Sequence, residues 1–219
     1  WEHSMDESQL RDLLAGIASG SVDVEDAVAQ LRHMPFQDLD YAKVDHHRAL
    51  RTGFPEVVFC EGKTSAQIIG IFRAMADRAA SVILGTRADK AKFEAVREQF
   101  PEATYSEAAR VIQIGAPARD PDIGPCLVIS AGTSDIPIAE EAALVAEAVG
   151  CPVGRLFDVG VAGLHRLLDH DGQLRDAEVI IVVAGMEGAL ASVVGGLGLG
   201  HHKIEGLLRH YGASFGGVA

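Results

Sequence analysis

Ser130-Ala-Gly-Thr-Ser-Asp135 is the stretch of this chain best equipped for chemistry. It lies between an apolar run, Cys126-Leu-Val-Ile-Ser130, and a helical pattern from Ile136 to Gly150. A strand that empties through small residues into a helix leaves free backbone N–H groups at the helix N-terminus. Those donors and the helix dipole both favour a phosphate or carboxylate there. In one reading Ser134 or Asp135 caps the helix and the other faces a ligand, with Gly132 and Thr133 completing the turn. The plainer reading makes both residues caps and nothing more, Ser and Asp being ordinary N-cap residues.

Gly163, Leu164, His165 and Arg166 form a second candidate group. Arg166 brings a fixed positive charge suited to phosphate or carboxylate, and His165 can carry a proton near neutral pH. The alternative is a His and an Arg on a solvated helix face. Ala184, Gly185, Met186, Glu187 and Gly188 form a third, offering backbone N–H groups and one carboxylate. Lys63, in Glu61-Gly-Lys-Thr64, precedes a helical stretch and is able to meet an anion at its start, or is a solvated loop lysine. It is not a Walker A lysine, because the first glycine of that motif would fall at Val57. Gly195-Gly-Leu-Gly-Leu-Gly200 does not fit G-x-G-x-x-G and follows a helix rather than a strand, so it reads as a helix C-terminus. His46-His47 and His201-His202 are adjacent pairs, which rarely chelate one metal, and read as surface histidines.

The elements that must position these groups alternate along the chain. Strands are expected at 57–59, 81–84, 109–114, 126–130, 155–157 and 178–184. Helices are expected at 65–78, 89–99, 136–149, 162–170 and 187–197. Leu10, Leu13, Leu14 and Ile17, then Val24, Val28 and Leu31, predict an N-terminal helical hairpin, followed by an irregular polar segment from Phe36 to Pro55. Residues 115–125, with three prolines and two glycines, read as a linker. The alternation implies βαβ units, parallel strands and helices on both faces: an α/β chain, three-layer αβα and flavodoxin-like, with a smaller N-terminal α/β region. The divisions are 6–55, 56–118 and 125–219. In such sheets ligands bind beyond the carboxyl ends of the strands, so the three turns after the last three strands should open on one side.

Composition narrows the function classes. With 48% hydrophobic residues in 219, the chain can build a real core, and 5% aromatic content suits close α/β layers better than a β-sandwich. A formal charge of -12 argues against general nucleic-acid or anionic-membrane binding. No apolar run is long enough to span a bilayer and no secretory signal is seen, so a cytoplasmic location is expected. Cys60, Cys126 and Cys151 are far apart and odd in number, which speaks against a disulfide framework and against a structural zinc site. Trp1-Glu-His-Ser-Met5 reads as a remnant outside the fold.

Together the three turns resemble those of the PurE family of aminoimidazole ribonucleotide carboxylases and mutases. The closer resemblance is to LarB, the nickel-pincer nucleotide biosynthesis family, grouped with the circadian phase modifier (CpmA) proteins. It is carried by Gly53-Phe-Pro-Glu56, Glu61-Gly-Lys-Thr64, Thr133-Ser-Asp135, Asp158-Val-Gly-Val-Ala-Gly-Leu-His-Arg166 and Val183-Ala-Gly-Met-Glu-Gly-Ala-Leu190. The resemblance implies carboxylation of the pyridinium ring of nicotinic acid adenine dinucleotide, with hydrolysis of its phosphoanhydride to release AMP. It further implies Mg2+, carbon dioxide or bicarbonate as co-substrate, and a homo-octamer with sites between subunits. His165 and Asp135 would then be the catalytic pair, Lys63 and the three turns would bind nucleotide, and Glu187 would reach Mg2+ or a ribose hydroxyl.

Two departures qualify that implication. His201 to His210 stands where the family carries an apolar strand. The family then continues past a Tyr-Gly-Ala-Ser-Phe-Gly-Gly segment to a helix bearing a cysteine that adds to the ring, whereas this sequence runs to Ala219, just after Tyr211-Gly-Ala-Ser-Phe-Gly-Gly217. None of the three cysteines stands at the matching position, and each reads as a small buried apolar residue. The thiol that the resemblance implies for ring activation is thus not among the residues given, and this sets other readings beside the carboxylase. The alternatives are an AMP- or nucleotide-binding regulator of the circadian phase modifier type and a shortened frame of an ordinary family member.

Overall fold

The computed structural model describes residues 7–31, 37–45, 48, 56–77, 80, 82–116, 123–197 and 203–208. The paired histidines at 46–47 and 201–202, Gly53 to Pro55, the segment 211–217 and the first five residues lie outside the described residues.

Two helices, α1 (Glu7–Ala18) and α2 (Val24–Leu31), form the expected hairpin, with Gly20 at φ 75 in the turn between them. Leu13 and Ala27 are buried, whereas Leu14 and Val24 are exposed. The segment expected to be irregular contains a two-residue hairpin, β1 (Gln37–Asp38) against β2 (Lys43–Val44), closed through Asp40 at φ 65. Val44 is buried in the core of the N-terminal sheet.

That sheet has the order β3-β4-β6-β5, from β3 (Val57–Phe59), β4 (Val82–Thr86), β5 (Thr104–Ser106) and β6 (Val111–Gly115). Only β3 and β4 are parallel. The expectation of parallel strands fails at β6, which returns antiparallel to β4. The physical reason is β5, missed in the sequence because it is three partly exposed residues. It makes a hairpin with β6 instead of a helical crossover. Helices α3 (Ser65–Ala76) and α4 (Lys90–Gln99) cover one face of the sheet. Thr64 and Gln67 form a reciprocal capping box on α3, and Asp89 caps α4 through Lys92 N at 2.9 Å.

The second sheet is wholly parallel, in the order β10-β9-β7-β8. It comprises β7 (Cys126–Ser130), β8 (Val153–Leu156), β9 (Val179–Ala184) and β10 (Lys203–Leu208). Strand β10 overturns the expectation that His201 to His210 displaces a strand: residues 203–208 pair in register with Val179–Ala184. An edge strand tolerates Lys and Glu, because one of its sides is free of the ladder, and the histidines flank the paired residues. Helix α5 (Ile136–Ala148) lies on one face, with Ala139 and Ala143 against Cys126 and Val128. On the other face lie α6 (Leu164–Leu168), α7 (Asp171–Asp176) and α8 (Ala189–Gly196), packed on Leu127, Ile129, Ile180 and Val182. The single helix expected over 162–170 is instead a 3-10 turn, Val161–Gly163, followed by the two short helices α6 and α7.

Helix α5 also joins the two sheets. Leu144, Val145 and Ala148 pack on Val82, Leu84, Ala109 and Val111, the face of the N-terminal sheet that α3 and α4 leave open. The small residues of α5 are what let a helix fit between two β-layers. No described helix is long and apolar enough to cross a membrane.

Candidate functional site

From β7 the chain moves one way to β8, then crosses back over β7 to reach β9. The helices that follow these strands therefore leave on opposite faces, and the carboxyl ends where they part are where sheets of this kind bind ligands. Ser130, fully buried at the end of β7, ties the turns together. Its hydroxyl accepts the backbone N–H of Asp158 at 3.2 Å, and its carbonyl accepts that of Val159 at 3.1 Å. On the other side Ala131 N–H donates to the Val183 carbonyl at 3.0 Å. The three turns expected to share one rim do so.

In the first turn Thr133–Asp135 is a 3-10 turn feeding directly into α5, whose first turn carries Pro137. Thr133 and Ser134 are exposed; Asp135 is 4% exposed. The Asp135 carboxylate does not cap α5. Its Oδ2 turns back to accept Gly132 N–H at 3.0 Å. Its Oδ1 is buried and has no hydrogen-bond partner among the described residues. Buried polar atoms are almost always paired, so this oxygen points to a missing donor.

The second turn holds Asp158 at φ 58, a left-handed conformation that Asp tolerates better than most residues. Arg166 Nη1 donates to Asp158 Oδ2 at 2.7 Å, with both side chains about half exposed. Gly163 lies under that guanidinium: a Cβ there would stand 2.6 Å from Arg166 Nε, so the guanidinium holds this position only over a glycine. Leu167, fully buried, anchors α6, while Leu164 and His165 face solvent. In the third turn Met186 is left-handed at φ 52 and 74% exposed, Glu187 is exposed, and Ala184 and Gly188 are buried. Gly188 N–H closes the turn on the Gly185 carbonyl at 3.1 Å.

Gly132 to Asp135, Gly163 to Arg166 and Ala184 to Gly188 thus share the rim. Lys63 belongs to the other sheet, where its ammonium donates to the Phe59 carbonyl at 2.8 Å. Sequence reasoning passed over Asp158 and Ser130 as site residues. An Asp just beyond a strand and eight residues before Arg166 was the available signal, but its left-handed backbone is a tertiary outcome. The cysteines lie away from the rim or inside the core. Cys126 and Cys151 sit at the amino end of the parallel sheet, and burial pushes the thiols of Cys60 and Cys126 up to about 11. Cys151 is raised by burial too, though it is only partly buried. Among the described residues no three His, Cys, Asp or Glu side chains gather as a metal-binding group. The rim therefore offers one guanidinium, one orphaned carboxylate oxygen and backbone donors, a set suited to a phosphate and a neighbouring hydroxyl.

A family model described as the LarB/PurE-like N-terminal domain matches residues 36–116, the part that builds β1 to β6. An uncharacterized protein of Methanocaldococcus jannaschii is 33% identical over 193 residues, spanning 84% of this chain and 75% of that relative.

Proposed function

This chain belongs to the LarB/PurE-like family, and from that premise we propose that it is a carboxylase of the nickel-pincer nucleotide type acting on nicotinic acid adenine dinucleotide. In that reaction a ring C–H is replaced by a bond to carbon dioxide with loss of a proton. Water cleaves the phosphoanhydride and AMP leaves.

The observation that carries the reading is the buried, unpartnered Oδ1 of Asp135 in a corner knitted from three turns. A ribose hydroxyl donating to that oxygen would satisfy it. Arg166, held by Asp158, pairs with the phosphate, and the turn from Gly185 to Glu187 presents backbone N–H groups to the same ligand. His165, exposed on α6, takes the ring proton. Mg2+ characteristically binds one or two carboxylates together with substrate phosphates. Glu187, exposed in the third turn, would be the protein carboxylate. Bound there, Mg2+ would supply charge neutralisation at the phosphoanhydride.

One observation favours a second reading, nucleotide binding without turnover. Among the described residues no thiol faces the rim, and the buried ones are held protonated at neutral pH. Incubation with nicotinic acid adenine dinucleotide, Mg2+ and bicarbonate separates the two. A mononucleotide heavier than nicotinic acid mononucleotide by one carbon dioxide, accompanied by AMP, is expected of the enzyme. Unchanged dinucleotide together with saturable AMP binding supports the binder.

A further inference from the structure

We propose that Cys126 and Cys151 are a dithiol that closes reversibly to a disulfide, a modification site that staples the unit carrying the Asp135 turn. The two residues are far apart in sequence, and both are free thiols. The fold brings them together at the amino end of the parallel sheet, in one apolar cluster with Ala143 and Val153. There the Cys126 thiol donates a hydrogen bond to the Cys151 sulfur. The Cys151 thiol in turn donates to the Gly124 carbonyl at 3.3 Å.

Both backbones are fixed where this contact requires them. Strand β7 begins at Cys126, which stands opposite Val153 in the ladder and donates its N–H to the Pro152 carbonyl at 2.8 Å. Cys151 is set by the end of α5, which closes in a Schellman motif. Gly150, left-handed at φ 84, donates to the Glu147 carbonyl at 2.9 Å, and Cys151 N–H donates to the Ala146 carbonyl at 3.2 Å. The residue just past such a cap packs back on its helix, and here it meets the first residue of β7.

The two thiols differ in access. Cys126 is 4% exposed, whereas Cys151 is only partly buried. Cys151 is therefore the thiol that an outside disulfide meets first, and Cys126 the one that resolves. The Cys151 thiolate attacks one sulfur of glutathione disulfide, whose S–S bond breaks, and one glutathione leaves with the proton that Cys151 gave up. Cys126 then attacks the Cys151 sulfur, and the second glutathione leaves with the Cys126 proton. Two protein thiols are oxidised to one disulfide while one glutathione disulfide is reduced to two thiols. Burial, with Glu178 adding to it, disfavours the Cys151 thiolate and slows the first step at neutral pH. Neither opposes the product, because a disulfide carries no charge.

The bridge would close a loop that contains β7, the Asp135 turn and α5. It lies at the end of β7 opposite that turn, so it acts on stability and leaves the ligand corner open. Cys60 lies in the core of the other sheet and serves as an internal control. The proposal holds with or without the carboxylase reading.

The test incubates the full chain with glutathione disulfide at about pH 8.5, where more of a thiol is ionised, and maps its peptides by mass spectrometry without reduction. A peptide pair joined through Cys126 and Cys151 and released by dithiothreitol is expected, with Cys60 alkylated only after unfolding. The oxidised chain should melt about 5 °C or more above the reduced one. Cys151→Ser, treated in the same way, should show neither the pair nor the shift. A glutathione adduct that stays on Cys151, a bond from either cysteine to Cys60 or to a second chain, or both thiols still free would overturn the proposal. A bridge that forms without raising the melting temperature would overturn its role as a staple.

Discussion

Gly160 lies so close to Ala131 that a Cβ on it would stand 2.6 Å from the Ala131 carbonyl oxygen. The turn after β8 is thus pressed on the turn after β7 at backbone level, where no flexible side chain can yield. Gly160→Ala is expected to lower stability by about 1–3 kcal/mol, as overpacking does. Thermal melting reads the loss. Gly172→Ala is the control: nothing lies within 4 Å of a Cβ there, and in α7 alanine should add about 0.5–1 kcal/mol.

Ser130 tests the same junction from its hydrogen bond. Ser130→Ala leaves the Asp158 N–H without its hydroxyl partner in a part-buried place. The expected cost is about 1–2 kcal/mol in denaturant melts. A variant as stable as the parent would mean that water replaces the hydroxyl and that the tie is weak.

Gly163 and Arg166 separate positioning from folding. A Cβ at Gly163 displaces a guanidinium, the far end of a flexible side chain, so Gly163→Ala should fold normally. If Arg166 pairs with a phosphate, both Gly163→Ala and Arg166→Met should weaken AMP binding, the latter by about 1–3 kcal/mol. Equal affinity in both variants would remove Arg166 from the site.

The buried thiols set an alkaline limit. Burial raises Cys60 and Cys126 from 9.0 to about 11 in the folded chain. Between those values the folded state binds more protons than the unfolded one, so stability falls as pH rises. It should be fully present below pH 9 and decline from there to about pH 11. Replacing both cysteines by alanine should flatten that decline, and native thiol alkylation at neutral pH should be slow.

The layered fold was legible because its signals are local. The runs 57–59 and 126–130 coincide with β3 and β7, and the helix expected over 136–149 differs from α5 by one residue. What escaped was set by tertiary pairing. Strand β5 has three residues and no periodicity to read, and β10 completes a ladder whose partner is more than twenty residues away. The site divided in the same way. Small residues between a strand and a helix marked the Asp135 turn, but nothing local foretold that its carboxylate would turn back to Gly132 and leave one oxygen unpaired. Asp158 gained its meaning only when β8 brought it over Ser130.

The three-turn corner as a nucleoside phosphate site is tested most directly by calorimetric titration of AMP into the parent chain and into Asp135→Asn. The parent should bind saturably at one site per chain. Asp135→Asn should still fold and bind at least fivefold more weakly, because an amide presents its donor or its oxygen differently to the ribose. No heat in the parent, or equal affinity in the two proteins, would contradict the account.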